Sequence, residues 1–133
     1  MIYKTTTNMN MSRVKEELEA KAKEFGFGIL KSYAFQDILK EKGFPIEQEV
    51  TVYELCNPAA AQKVLSEIVE VSVYLPCRLS IYEENGKTVL ATMGFEDMLG
   101  SVEIEESFKL FMSEIFEELK ALMNAWNESV IQS

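Results

Sequence analysis

The alternation of apolar and polar positions opens the chain with a strand. Residues 2–7 place three β-branched threonines after Ile2 and Tyr3, with no breaker among them, a composition that suits a pleated, half-buried segment. A helix follows. Val14, Leu18, Ala22 and Phe25 recur at spacings of 4, 4 and 3, which puts them on one apolar stripe of a 3.6-residue period. Ser12 is the expected N-cap, its hydroxyl accepting an unpaired backbone N–H, with Glu16, Glu17 and Glu19 near the positive end of the dipole. Gly26 supplies the left-handed stop.

Residues 27–35 read as a second strand, leading into a short helix over 36–42 that Gly43 and Pro45 end. Val50, Val52 and Glu54 alternate with Thr51, Tyr53 and Leu55, which is strand periodicity. That strand runs directly into Cys56-Asn57-Pro58. Asn57 is a good cap and Pro58 a good first helical residue, because its missing N–H needs no partner there. Ala61, Val64, Leu65 and Ile68 then mark the buried side of a helix.

Residues 71–75 lead through Pro76 into Cys77 and a hairpin. Asn85-Gly86 tolerates the positive φ of a type I′ turn, so Glu84 should pair with Lys87, Tyr82 with Val89, Ile81 with Leu90 and Leu79 with Thr92. One hairpin face then carries Leu79, Ile81 and Leu90. The other carries Tyr82, Val89, Ala91 and Met93, so neither is purely polar. Either the sheet is half covered by helices, or its second face meets another subunit or a ligand. Residues 94–100 form a linker or helical turn, and a long helix is expected over 102–127. Phe108, Met112, Ile115, Leu119, Leu122 and Trp126 form its seam at spacings of 4, 3, 4, 3 and 4. Phe111, Phe116 and Met123 widen that stripe beyond one buried face, so it serves as core along a sheet or also contributes to a dimer contact. Helices bracketing a mostly antiparallel sheet make the fold class α+β: a single antiparallel-rich sheet packed against an N-terminal helix and a long C-terminal helix.

At 133 residues the chain suits one domain over 1–133, with a sheet-bearing core over 1–99 and the terminal helix in 100–133. Apolar residues make up 47% and charged residues 26%, an ordinary globular composition. With 22 acidic against 13 basic side chains the net charge is −9, which argues against a nucleic acid as partner. There is no histidine, which removes Ser-His-Asp triads, Cys-His pairs and His-ligated metals. The opening MIYKTTTNMNMS lacks a secretory pattern and no apolar run reaches the roughly 18–20 residues of a membrane span. Two cysteines are too few for a disulfide scaffold. The expectation is a cytoplasmic protein with reduced thiols and no membrane contact.

Cys56 and Cys77 are the only soft nucleophiles. Cys56 precedes a helix N-terminus, where unpaired N–H groups can lower a thiol pKa. If the two strands are antiparallel neighbours the thiols approach; a parallel crossover would put them at opposite ends of the sheet. Their spacing is not that of a C-x-x-C motif, and no third or fourth soft ligand accompanies them. They act either as small buried hydrophobes or as a redox or thiolate-ligand pair. The acidic residues assemble into no catalytic or metal site: Glu103, Glu105 and Glu106 fit the dipole of the last helix. Gly26 and Gly28 make no phosphate loop. Arg13 and Arg78 are the only arginines; Arg78, beside Cys77, either meets an anionic ligand or pairs with a neighbouring glutamate.

Four segments in order resemble a known family. Gly26-Phe27-Gly28-Ile29-Leu30, Leu55-Cys56-Asn57-Pro58 with Ala61, Leu75-Pro76-Cys77, and Ile81-Tyr82-Glu83 with Gly86 resemble the motifs of the domain of unknown function 302. The resemblance covers residues 2–99. It implies a TATA-binding-protein-like α+β fold, often dimeric, with no assigned activity, and it does not imply DNA binding. Tyr33-Ala34 stands where that family often has Ile-Asp, and Gly94-Phe95 where it often has Asp-Pro.

The residues favour a non-catalytic dimeric domain that binds a small molecule or protein partner, with Cys56, Asn57, Pro58, Cys77 and Arg78 as candidate binding or redox residues. The alternative is a thiol-dependent protein handling redox equivalents or a soft metal through Cys56 and Cys77. Nothing specifies a cofactor, and a hydrolase has the least support, because no general base accompanies a nucleophile.

Overall fold

Strand alternation decides which side of the sheet is dry. In the computed structural model, whose described residues are 1–94 and 105–127, strand β3 (Val50–Cys56) buries Thr51, Tyr53 and Leu55 while the residues between them stay partly exposed. Strand 77–84 repeats that alternation at Leu79 and Ile81, whereas strand 87–93 is buried on both faces from Thr88 to Thr92. Strands β1 (Ile2–Thr7), β2 (Gly28–Ala34), β4 (Cys77–Glu84) and β5 (Lys87–Met93) complete a five-stranded sheet in the order β1-β5-β4-β3-β2, antiparallel throughout. The hairpin register matches its sequence expectation, with Glu84 opposite Lys87 and Ile81 opposite Leu90. Asn85 and Gly86 both take positive φ at the turn, 55° and 76°.

Helix α1 (Met11–Glu24) links β1 and β2, which lie at opposite edges and run parallel to each other, so it must cross the sheet. Val14, Leu18 and Ala22 are fully buried beneath it, as the stripe predicts. The cap differs from the sequence expectation: Asn10, not Ser12, holds the N-terminus, its Oδ1 accepting from the Arg13 N–H at 2.8 Å. Ser12 therefore lies inside the first turn, which contains no acidic residue. Gly26 stops the helix with φ 86°.

Helix α2 (Phe35–Glu41) follows β2, and helix α3 (Pro58–Glu67) follows β3. A 3-10 segment (Val69–Tyr74) then leads to Pro76 and β4, in the region read as 71–75. Helix α4 (Glu106–Met123) and a 3-10 turn (Ala125–Asn127) supply the last layer. The linker read over 94–100 and the helix start at 102 lie, apart from Gly94, outside the described residues.

The core has two parts. The larger joins Val14 and Leu18 of α1, Leu55, Leu79, Ile81 and Leu90 of the sheet, and Phe116, Leu119, Leu122 and Trp126 of the terminal segment. The smaller joins Val64 and Val71 to Phe108 and Met112, so α4 also packs on α3 and the 3-10 segment. Of the three residues that widened the stripe, Phe116 and Met123 are buried in the chain's own core, and Phe111 is partly buried against the smaller cluster. Val89 and Ala91 of the second hairpin face are also buried, at 0% and 7% exposure. These residues need no second subunit to cover them.

Polar bonds tie the layers. Trp126 Nε1 donates to Glu17 Oε1 at 2.9 Å, joining the terminal segment to α1. Glu17 also accepts from Arg13, and those two bonds, Arg13's first, hold its carboxyl below the usual range. Thr5 Oγ1 donates to the Met123 carbonyl and Thr88 Oγ1 to that of Met9, each at 2.8 Å. Among the described residues, Thr51 Oγ1 is a buried side-chain oxygen left without a partner.

Two stability measurements check this packing. Leu90→Ala, at a site with 0% exposure, should lower the urea-unfolding free energy by about 2–5 kcal/mol. Thr51→Val should raise it by roughly 1 kcal/mol, because it removes a desolvated hydroxyl that has no partner.

Candidate functional site

The ends of three adjacent strands meet at one corner of the sheet. Gly28 at the start of β2 lies opposite Cys56, and Leu55 lies opposite Cys77 at the start of β4. The strands are antiparallel neighbours, so Cys56 and Cys77 stand at the same end of the ladder and not at opposite ends of the sheet. Both cysteines are free and partly buried.

The turn out of β3 is fixed locally. Asn57 caps α3, its Oδ1 accepting from the Ala60 N–H at 3.1 Å, and Pro58 follows in the first turn. Gly26 packs against this cap: a Cβ there would stand 3.3 Å from Asn57 Nδ2, on a backbone with φ 86°. The Gly-Phe-Gly and Cys-Asn-Pro segments thus support one another in space.

Helix α3 leaves the sheet at this corner and α4 crosses it, and between them lies a cavity of about 250 Å³. The sheet contributes Phe27, Leu30, Leu55, Cys56 and Cys77; α3 contributes Ala60, Ala61, Val64 and Leu65; α4 contributes Met112, Ile115, Phe116 and Leu119. Asn57, Leu75 and Pro76 close the wall. Among the described residues, no charged side chain lines it. Leu30 and Leu65, at 63% and 39% exposure, stand where the wall meets solvent.

The candidate residues therefore divide. Cys56, Asn57 and Cys77 line the cavity, whereas Pro58 and Arg78 do not. Pro58 shapes the helix start. Arg78 pairs with Glu54, its cross-strand neighbour, at 3.6 Å, and Tyr33 Oη donates to the same carboxylate at 3.3 Å. Sequence reasoning missed the α4 wall as part of a site. Met112 was readable only as core, since nothing local to it announces a ligand, and its thioether is the third soft atom that the cysteine motifs lack.

Burial pushes the Cys77 thiol above its ordinary pKa, and the nearby Cys56 pushes it the same way. Cys77 is therefore a protonated thiol at neutral pH, not an activated nucleophile. Among the described residues, no three His, Cys, Asp or Glu side chains cluster to hold a metal ion. No helix among them is long and apolar enough to cross a membrane.

The model of the family described as Domain of unknown function DUF302 matches residues 3–126. The chain belongs to the DUF302 family. An uncharacterized conserved DUF302 protein from Bacillus stearothermophilus, known from its crystal structure, is 30% identical to it. That match covers 92% of this chain and 95% of the other, with a TM-score of 0.84. The α+β sheet-and-helix architecture of this DUF302 chain is thus shared with a solved relative. A search of the curated proteins finds no match.

The thiol environment sets a pH dependence. A proton held more tightly in the folded state stabilises the fold fully below the unfolded thiol's pKa. That contribution is lost as pH rises past about 8.5 toward the raised folded value. Urea midpoints measured from neutral pH upward should therefore fall more steeply for the native chain than for Cys77→Val. In the same range a maleimide should label Cys77 more slowly in the folded DUF302 chain than in urea.

Proposed function

We propose that this DUF302 chain is a non-catalytic binding domain whose ligand is a small, uncharged, apolar molecule held between α3, α4 and the β3–β4 corner. The observation that carries this reading is the wall itself: among the described residues, its lining residues are hydrocarbon apart from two cysteines, one methionine and one asparagine. An ion would lose its hydration there without gaining a counter-charge, at a cost of several kcal/mol or more. An apolar molecule instead exchanges water contact for dispersion contact along Leu55, Ile115, Phe116 and Leu119. An apolar cavity of roughly 150 Å³ already holds benzene; at about 250 Å³ this one suits a molecule nearer the size of two fused rings. Catalysis has less support, because among the described residues the wall carries no carboxylate, lysine or base to move a proton.

Naphthalene, titrated into the full chain and followed by methyl NMR, should give saturable shifts at Leu55, Met112, Ile115 and Leu119 and raise the unfolding midpoint. Leu65→Trp, which sets an indole at the partly exposed rim, should abolish the shifts while the chain stays folded. Shifts that never saturate, or that survive Leu65→Trp, refute the proposal. The sharing of one wall by Cys56 and Cys77 favours a second reading, the handling of a soft ligand by sulfur.

A further inference from the structure

The cavity is open to solvent and not sealed. Two of its lining residues, Leu30 and Leu65, accordingly stay 63% and 39% exposed. Leu30 owes its place to a bulge. The β2–β3 ladder steps from Ile29 opposite Leu55 to Lys31 opposite Glu54 and passes Leu30 over, and a residue left out of a ladder in this way is re-aimed from the regular pleat. Strand β2 is an edge of the sheet, so among the described residues no further strand lies beyond it. We propose that the ligand is a single-chain amphiphile, with its hydrocarbon tail in the cavity and its polar head in water beyond Leu30 and Leu65.

This inference rests on the apolar-ligand reading and specifies what the apolar part is attached to. Among the described residues no charged side chain lines the wall, and Asn57 Oδ1 is committed to the α3 cap. A polar head therefore finds nothing inside to replace its hydration and stays outside. The open mouth supplies it with water. The two exposed leucines continue the apolar wall to that mouth, where the methylenes next to the head cover them. A wholly apolar molecule buried in the cavity would use neither feature. Size follows from volume: since roughly 150 Å³ holds the six carbons of benzene, about 250 Å³ takes a tail of about ten carbons.

The test is a calorimetric titration of the full chain with straight-chain alkanoates from hexanoate to tetradecanoate, each below its micelle concentration. Salt at about 0.15 M screens the repulsion between the carboxylate and this acidic chain. Affinity should rise about fourfold per added methylene, the factor for burying one CH₂ group. The rise should level off at about ten to twelve carbons, where the cavity is full. Decanedioate, with a carboxylate at each end, should bind about a hundredfold more weakly than decanoate or not at all, because one charged end would have to enter the wall. In methyl NMR, decanoate should shift Met112 and Ile115, while its own carboxylate carbon titrates as it does in water. Leu30→Ser should weaken dodecanoate about fourfold to tenfold by removing apolar contact at the mouth. Because Leu30 is mostly exposed, that variant should keep its unfolding midpoint and its naphthalene shifts.

Decanedioate bound as tightly as decanoate, or affinity still climbing at tetradecanoate, would lay the chain on the surface and overturn the proposal. Decanoate affinity that falls as protein concentration rises would give the mouth to a second copy of the chain and overturn it too. Full dodecanoate affinity in folded Leu30→Ser would overturn the placing of the head beyond Leu30. Naphthalene shifts without decanoate binding would sink the amphiphile alone. Loss of both would sink the apolar-ligand reading on which it rests.

Discussion

The two-residue period of β3 is the constraint from which the rest follows. Because Thr51, Tyr53 and Leu55 all point to one face, that face must be covered, and α1 and α4 cover it. A slip of one residue would send Val50, Val52 and Glu54 under the helices and place a carboxylate in the core. The slip is prevented on both sides. Leu55 opposite Cys77 and Ile29 opposite Leu55 fix β3 between β4 and β2, and Asn57 ends it by starting α3.

The cavity follows from the same geometry. A strand that ends in a helix cap turns its chain away from the sheet within one residue, so α3 departs before it can seal the corner. The residues it presents to that space include Ala60 and Ala61, which are small, and α4 lines the same space with Met112 and Ile115. Interiors are otherwise close-packed, so an unfilled apolar volume lined by two alanines is a feature of sequence choice. Larger side chains at positions 60 and 61 would fill it.

Much of this was legible in the chain. The α1 stripe, the β3 alternation, the Asn57-Pro58 cap and the Asn85-Gly86 turn are local signals, and each element formed where its pattern lay. What sequence left open was how elements distant along the chain meet. The placing of Cys56 and Cys77 at one end of the ladder depends on β3 and β4 being antiparallel neighbours, which the connecting α3 and 3-10 segment does not encode locally. The Met112 contribution depends on α4 packing against α3, visible only once Val64 and Phe108 are seen to share a cluster. The α1 cap was misplaced for a smaller reason: Asn10 and Ser12 are both good caps two residues apart, and backbone geometry chose Asn10.

Strand β1 is the first element along the chain and an edge of the sheet, but its partner is β5, with Ile2 opposite Met93. It is also tied to a segment far along the chain: Thr5 Oγ1 donates to the Met123 carbonyl, and Asn127 Nδ2 donates to the Thr6 carbonyl. At synthesis rates of about 5–20 residues per second, β1 therefore waits several seconds on the ribosome before the strand that pairs with it is made. During that interval its threonine-rich edge is unpaired, and α1 has no completed sheet to lie on. Acquisition of the native state therefore waits until residues 123–127 have been made, because β1 and that distant segment close the structure together.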